Sequence, residues 1–106
     1  MPQYRGTPTN DTQGASVAKV VRLVHALDAQ IATEAPASIM EVKSEKGFRG
    51  FRVAGTTTGQ TWSVDLYGGN CYIVRVDGFE TERVTDLIRV ILSLRSKLDP
   101  GSIHEN

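Results

Sequence analysis

His25, His104 and Cys71 are the side chains of this 106-residue chain best suited to proton transfer or nucleophilic attack near neutral pH. His25 lies beside the apolar stripe of a candidate helix, with Asp28 three residues on. At that spacing a carboxylate can orient an imidazole as a general base. No nucleophile for such a base is evident, and a boundary histidine is the simpler reading. His104 follows Pro100-Gly101 in a polar tail. Cys71 has only Arg75 in its neighbourhood to lower its pKa, so it reads as an inert thiol. Two histidines, one cysteine and scattered acids give no zinc-ligand spacing, and no calcium loop is present. The run Gly55-Thr56-Thr57-Thr58-Gly59 resembles a phosphate cradle but lacks the lysine and following helix that make one work. It reads as a hairpin loop. The chain is therefore expected to be a non-enzyme with no cofactor.

The elements that would position any site are plainer. Ser38 to Asp77 reads as four strands in succession. Ile39, Met40 and Val42 are followed by Phe51 and Val53, then Trp62, Val64 and Leu66, then Tyr72, Val74 and Val76. Alternation of this kind puts apolar side chains on one face of a pleated sheet. Turn arithmetic sets Val42 opposite Phe51 across a Lys46-Gly47 turn, and Val53 opposite Trp62 across a Gly55 to Gln60 loop. Leu66 falls opposite Tyr72 across Gly68-Gly69-Asn70. Gly50, in mid-strand and facing outward, reads as a bulge.

A helix precedes the strands, with Val17, Val20, Val21, Val24, Leu27 and Ile31 at three- and four-residue steps, ending near Glu34 before Pro36. Thr12 or Ser16 is placed to cap it. A second helix is expected after Asp77-Gly78, with Val84, Leu87, Ile88, Ile91, Leu94 and Leu98 on one side and Pro100-Gly101 as its stop. Glu80 and Glu82 fall in its first turns and Arg95 and Lys97 in its last, as the helix dipole prefers. The expected architecture is α+β, a two-layer sandwich of helix, four-stranded antiparallel meander and helix, with both helices on one sheet face. Residues 1–14 read as a flexible polar arm, 15–99 as the domain and 100–106 as a polar tail.

Twelve basic residues balance twelve acidic ones. A neutral total argues against a dedicated nucleic-acid binder, whose affinity comes largely from phosphate neutralisation. A single cysteine forms no internal disulfide. The first sixteen residues have no apolar core region of a signal peptide, and no apolar run approaches the roughly 20 residues of a bilayer span. A cytoplasmic protein without membrane attachment is expected.

What remains is association. In a four-stranded meander the last strand is an edge, and Tyr72, Ile73 and Val74 make it apolar. Val90 and Leu92 widen the apolar surface of the second helix. Together these five residues point to a protein partner, with a homodimer expected. An alternative is single-stranded nucleic acid on the outward sheet face, with Tyr67 stacking on bases and Lys43, Arg49, Arg52 and Arg75 meeting phosphates. The registers place Glu41 opposite Arg52 and Asp65 nearby, acids that would oppose that use.

Overall fold

The computed structural model describes residues 17–68 and 70–98. The candidate arm, the tail, the helix-capping residues Thr12 and Ser16, and His104 lie outside them. Helix α1 spans Val17–Gln30. Five strands follow, β1 (Ser38–Lys43), β2 (Arg49–Thr57), β3 (Gln60–Tyr67), β4 (Cys71–Val76) and β5 (Glu82–Val84), and then helix α2 (Leu87–Lys97). The strands form one antiparallel sheet in sequence order.

One face of that sheet is the core. Val53, Val64 and Val74 form one row across β2, β3 and β4, and Phe51, Leu66, Tyr72 and Val84 form the next, reaching β5. Both helices pack on this face. Val20, Leu23, Leu27 and Ile31 descend from α1 and its end, and Val90, Leu94 and Leu98 from α2. The α1 stripe is centred on Leu27, so Val17 and Val21 fall on its flank and are exposed. Trp62 is buried at the far end of the core. Its indole Nε1–H donates to Thr57 Oγ1 at 2.9 Å, and that hydroxyl donates to the Ala32 carbonyl at 2.6 Å. The Thr57 side chain thus ties the sheet to the segment that follows α1 and satisfies a donor that burial would otherwise leave unpaired.

The α+β sandwich is as expected, with one strand more. After the Asp77-Gly78 turn, where Gly78 has φ +88°, the chain returns as β5 along β4 before entering α2. Asp86 caps α2, its carboxylate accepting from the Arg89 N–H at 3.0 Å. Glu80 and Glu82 therefore precede the helix instead of opening it. Val84 is a strand residue, which shifts the buried stripe of α2 onto Val90, Leu94 and Leu98 and leaves Ile88 71% exposed.

The registers differ in an instructive way. Between β3 and β4 they fall as expected, with Leu66 opposite Tyr72. Between β2 and β3 they differ by two residues. The hairpin turns at Thr58-Gly59, both with positive φ as a type I′ turn requires, and Val53 faces Val64. Between β1 and β2 the difference is one residue. Met40 faces Arg52, and Glu41 faces Phe51. The cause is the turn: Glu45, Lys46 and Gly47 form a three-residue loop, closed by Ser44 N–H to Phe48 C=O at 2.8 Å. Gly47, at φ +90°, takes the left-handed position such loops demand.

Candidate binding surface

The outer face of the sheet, opposite the helices, holds the one buried charge network of the described residues. Along each strand the residues alternate with the core set, so register dictates who meets whom. Met40, Arg52, Asp65, Ile73 and Arg83 form one row from β1 to β5. Ser63 and Arg75 are paired beside it, and Val42, Gly50, Tyr67 and Cys71 form a parallel row.

Asp65 is its hub. The residue is 1% exposed although it points away from the core. Arg52 reaches it from β2 with two bonds, Nε to Oδ1 at 2.7 Å and Nη2 to Oδ2 at 3.0 Å. Arg75 donates from β4 through Nη1 to Oδ2 at 2.7 Å. The carboxylate is covered by the cations that neutralise it. Burial alone would raise its pKa; the hydrogen bonds from Arg52 and Arg75 outweigh that penalty and hold the carboxyl below its ordinary range. The hydrogen bond to Asp65 in turn raises the pKa of Arg52. Two guanidiniums against one carboxylate leave the cluster cationic, and Arg83 adds a third base to the row. Among the described strand residues of this face Asp65 is the sole acid; Asp77 stands at its margin, in the turn after β4.

Tyr67 completes the surface. A Cβ built on Gly50 would come within 2.5 Å of the Tyr67 Cδ1 and 2.7 Å of its Cε1. The ring therefore lies over the glycine, which has no side chain to displace it. Gly50 is not a bulge: the β2–β3 ladder runs through it unbroken, and its purpose is to seat the ring.

The residues singled out from sequence are sorted by this geometry. Arg52, Tyr67 and Arg75 do share the outer face. Lys43 and Arg49 face each other on the opposite, helix-bearing side, because the one-residue shift of β1 and the parity of β2 put them there. The same shift moves Glu41 off the outer face. Arg52 and Arg75 are held by Asp65 and are not free surface cations. Of the five expected association residues, Tyr72 and Val74 are buried core, since their side chains point beneath the helices. Val90 is buried too, at the centre of the α2 stripe. The expected edge at β4 is covered by β5. Ile73 remains half-buried on the outer face, and Leu92 is exposed on α2. The free edges of the sheet are β1 and the short β5.

Two further groupings bear on chemistry. His25 and Asp28 are both exposed on α1. On the other side of the molecule Lys97 Nζ donates to Glu82 Oε1 at 2.6 Å and to Ser93 Oγ at 2.7 Å, and the Ser93 hydroxyl donates to the same Glu82 oxygen. A serine beside a lysine invites a nucleophilic reading. Here that lysine is ion-paired with Glu82, and the serine proton is directed at the same carboxylate, so neither group is poised to react. Lys97, then Ser93, hold the Glu82 carboxyl below its ordinary range. The trio ties β5 to α2. No group of three or more His, Cys, Asp or Glu among the described residues is arranged to hold a metal ion, and no described helix is long and apolar enough to cross a membrane. Sequence reasoning missed the Asp65 hub because the expected β2–β3 register, two residues from the observed one, sets Ser63 opposite Arg52 and Asp65 opposite Gly50; the composition of β3, with one acid flanked by Ser63 and Tyr67, carried the only signal. No family model matches the chain, and comparison with curated proteins and with solved structures finds no match.

Proposed function

We propose that the protein is a non-enzymatic interaction module that self-associates and offers the outer face of its sheet to a protein partner. The observation that carries this reading is composition at an uncovered surface. Neither helix lies on that face, which carries Met40, Tyr67, Arg52 and Arg75, residue types enriched where protein partners meet, with Ile73 adding apolar surface among them. Asp65 fixes the two arginines in place, so little side-chain entropy is lost when a partner engages them. The cationic excess selects a partner segment that combines carboxylates with apolar side chains. A cytoplasmic setting, where Cys71 stays reduced, suits this use.

A second reading puts single-stranded nucleic acid on the same face. One observation favours it: the Tyr67 ring lies over Gly50, half-exposed on the same face as Arg52, and such a ring can stack on a base. Against it, Lys43 and Arg49 are on the other side, and the phosphate-binding capacity of Arg52 and Arg75 is partly spent on Asp65.

Affinity capture from the native host extract, with and without nuclease treatment, separates the two. The protein reading expects a partner retained after nuclease and lost with Ile73→Lys, a change in the middle of the face and far from β1. Recovery of that partner by Ile73→Lys at wild-type level overturns the assignment of this face. Saturable binding of single-stranded oligonucleotides at low salt, where attraction is least screened, supports the second reading instead.

A further inference from the structure

The exposed edge of β1 carries an arrangement of charge that fits itself. Ser44 N–H donates to Phe48 C=O, so this opposed pair is hydrogen-bonded, and the alternation of an antiparallel ladder carries the same state to Val42, Met40 and Ser38. The odd residues Ile39, Glu41 and Lys43 therefore aim their N–H and C=O groups away from β2. On each side of the strand large apolar groups stand half-uncovered: Ile39 at 51% and Met40 at 54%, with Phe48 at 46% beside the turn. An edge six residues long with such side chains is a template for another strand.

We infer that a second copy of this chain is that strand, paired antiparallel across a two-fold axis at Val42, in the register that sets Glu41 opposite the partner's Lys43. This rests on the self-association in the function proposed above and names its edge and register. Backbone geometry limits the choice, because odd residues must face odd residues. Centring the axis on Glu41 would set two carboxylates directly opposite, a destabilising pair. Centring it on Met40 would set Ile39 against the partner's Glu41 and leave Lys43 without an acid directly opposite. Centring it on Val42 gives two Glu41–Lys43 pairs, one on each side of the axis, each exchanging both backbone hydrogen bonds. On the outer face the two Val42 side chains then form a closely spaced non-hydrogen-bonded pair. The same register brings the partner's Met40 opposite Ser44. Serine is small, and beyond it in the same row stands Phe48, so the methionine can lie across Ser44 against the ring. Two half-exposed apolar groups are covered together. The charges that guard β1 against indiscriminate pairing thus admit one register, and the dimer joins two five-stranded sheets into one continuous sheet with a doubled outer face.

Sedimentation equilibrium of the full chain from ten to several hundred micromolar tests this. Wild type is expected to dimerise. Glu41→Lys and Lys43→Glu, both at exposed positions, should each weaken self-association at least ten-fold by placing like charges opposite. An equimolar mixture of the two variants should form a heterodimer, and the double variant E41K/K43E should recover the wild-type dimer. Circular dichroism confirms that each is folded. A wild type that stays monomeric throughout overturns the inference, as does a Glu41→Lys variant that dimerises normally or a double variant that fails to recover. Ile73→Lys should leave the dimer intact, so loss of the outer-face partner and loss of the dimer are read separately.

Discussion

Replacing Asp65 with asparagine removes one charge and almost no volume, and its effect isolates what the network does. The carboxylate accepts three charge-assisted hydrogen bonds, two from Arg52 and one from Arg75. Removing one member of a buried ion pair costs about 3–5 kcal/mol when the remaining charge stays buried. Here the arginine side chains are 36% and 45% exposed and regain water, while asparagine keeps one acceptor. The expected loss for Asp65→Asn is therefore about 2–3 kcal/mol. For a domain of this size that lowers Tm by about 10–20 °C. Urea unfolding at pH 7, followed by the fluorescence of the single buried Trp62, measures it. A pH series supplies the sign. The folded pKa of Asp65 lies below its unfolded value, about 3.9 for an aspartate. Its contribution is thus complete well above pH 4 and is lost as pH falls through the folded pKa. The gap between wild type and Asp65→Asn should narrow on acidification. A variant within about 0.5 kcal/mol of wild type at pH 7, or a gap of constant size down to pH 3, would refute the ionic account.

Other perturbations have equally defined outcomes. Trp62→Ala should cost about 3–5 kcal/mol by emptying the far end of the core; a melting curve unchanged within a degree or two contradicts that placement. Thr57→Val should cost about 1–3 kcal/mol by leaving the Trp62 N–H and the Ala32 carbonyl unpaired, and a denaturant midpoint equal to wild type would show that water replaces the hydroxyl. Gly50→Ala should cost about 1–3 kcal/mol, because the new methyl meets the Leu66 carbonyl at 2.5 Å as well as the Tyr67 ring; equal stability would mean the ring moves aside freely. Asp86→Ala removes the α2 cap and should cost about 1 kcal/mol, seen as a lower midpoint with an unchanged m-value.

The architecture was legible wherever burial constrains both sides of a ladder. Between β3 and β4 every inward residue is buried against a helix, and alternation alone fixes the pairing. At β1 it does not. Ile39, Met40 and Val42 offer an apolar residue to either face, no helix covers the strand, and the turn geometry decides. Strand β5 is three residues long, too short for alternation to register, so Val84 joined the helical pattern that follows it. That error propagated: with Val84 in the stripe Ile88 looked inward, and Val90, which is buried, looked outward. The candidate surface was half visible. The expected β3–β4 register, with Leu66 opposite Tyr72, carries with it the outer-face pairs Ser63–Arg75, Tyr67–Cys71 and Asp65–Ile73, while the two-residue shift between β2 and β3 takes Asp65 away from Arg52. An ionic hub is a property of three strands at once, and a register error at either junction, here two residues between β2 and β3, conceals it.

Strand β2 carries two glycines whose missing side chains face opposite ways. Gly50 receives the ring of Tyr67 on the outer face, and Gly55 receives the indole of Trp62 on the inner, where an added Cβ would stand 2.6 Å from Cζ2. Alternation by itself tolerates a slide of two residues between β2 and β3, since every side chain keeps its face. A slide of that size would bring Trp62 opposite Val53 and Tyr67 opposite Phe48, each aromatic ring meeting a side chain where it had met a gap. The hairpin is thus indexed like a key with two notches cut from opposite edges. Filling either notch removes a tooth of that index, so that a neighbouring alignment, equally apolar within and equally polar without, becomes a competitor for the native one.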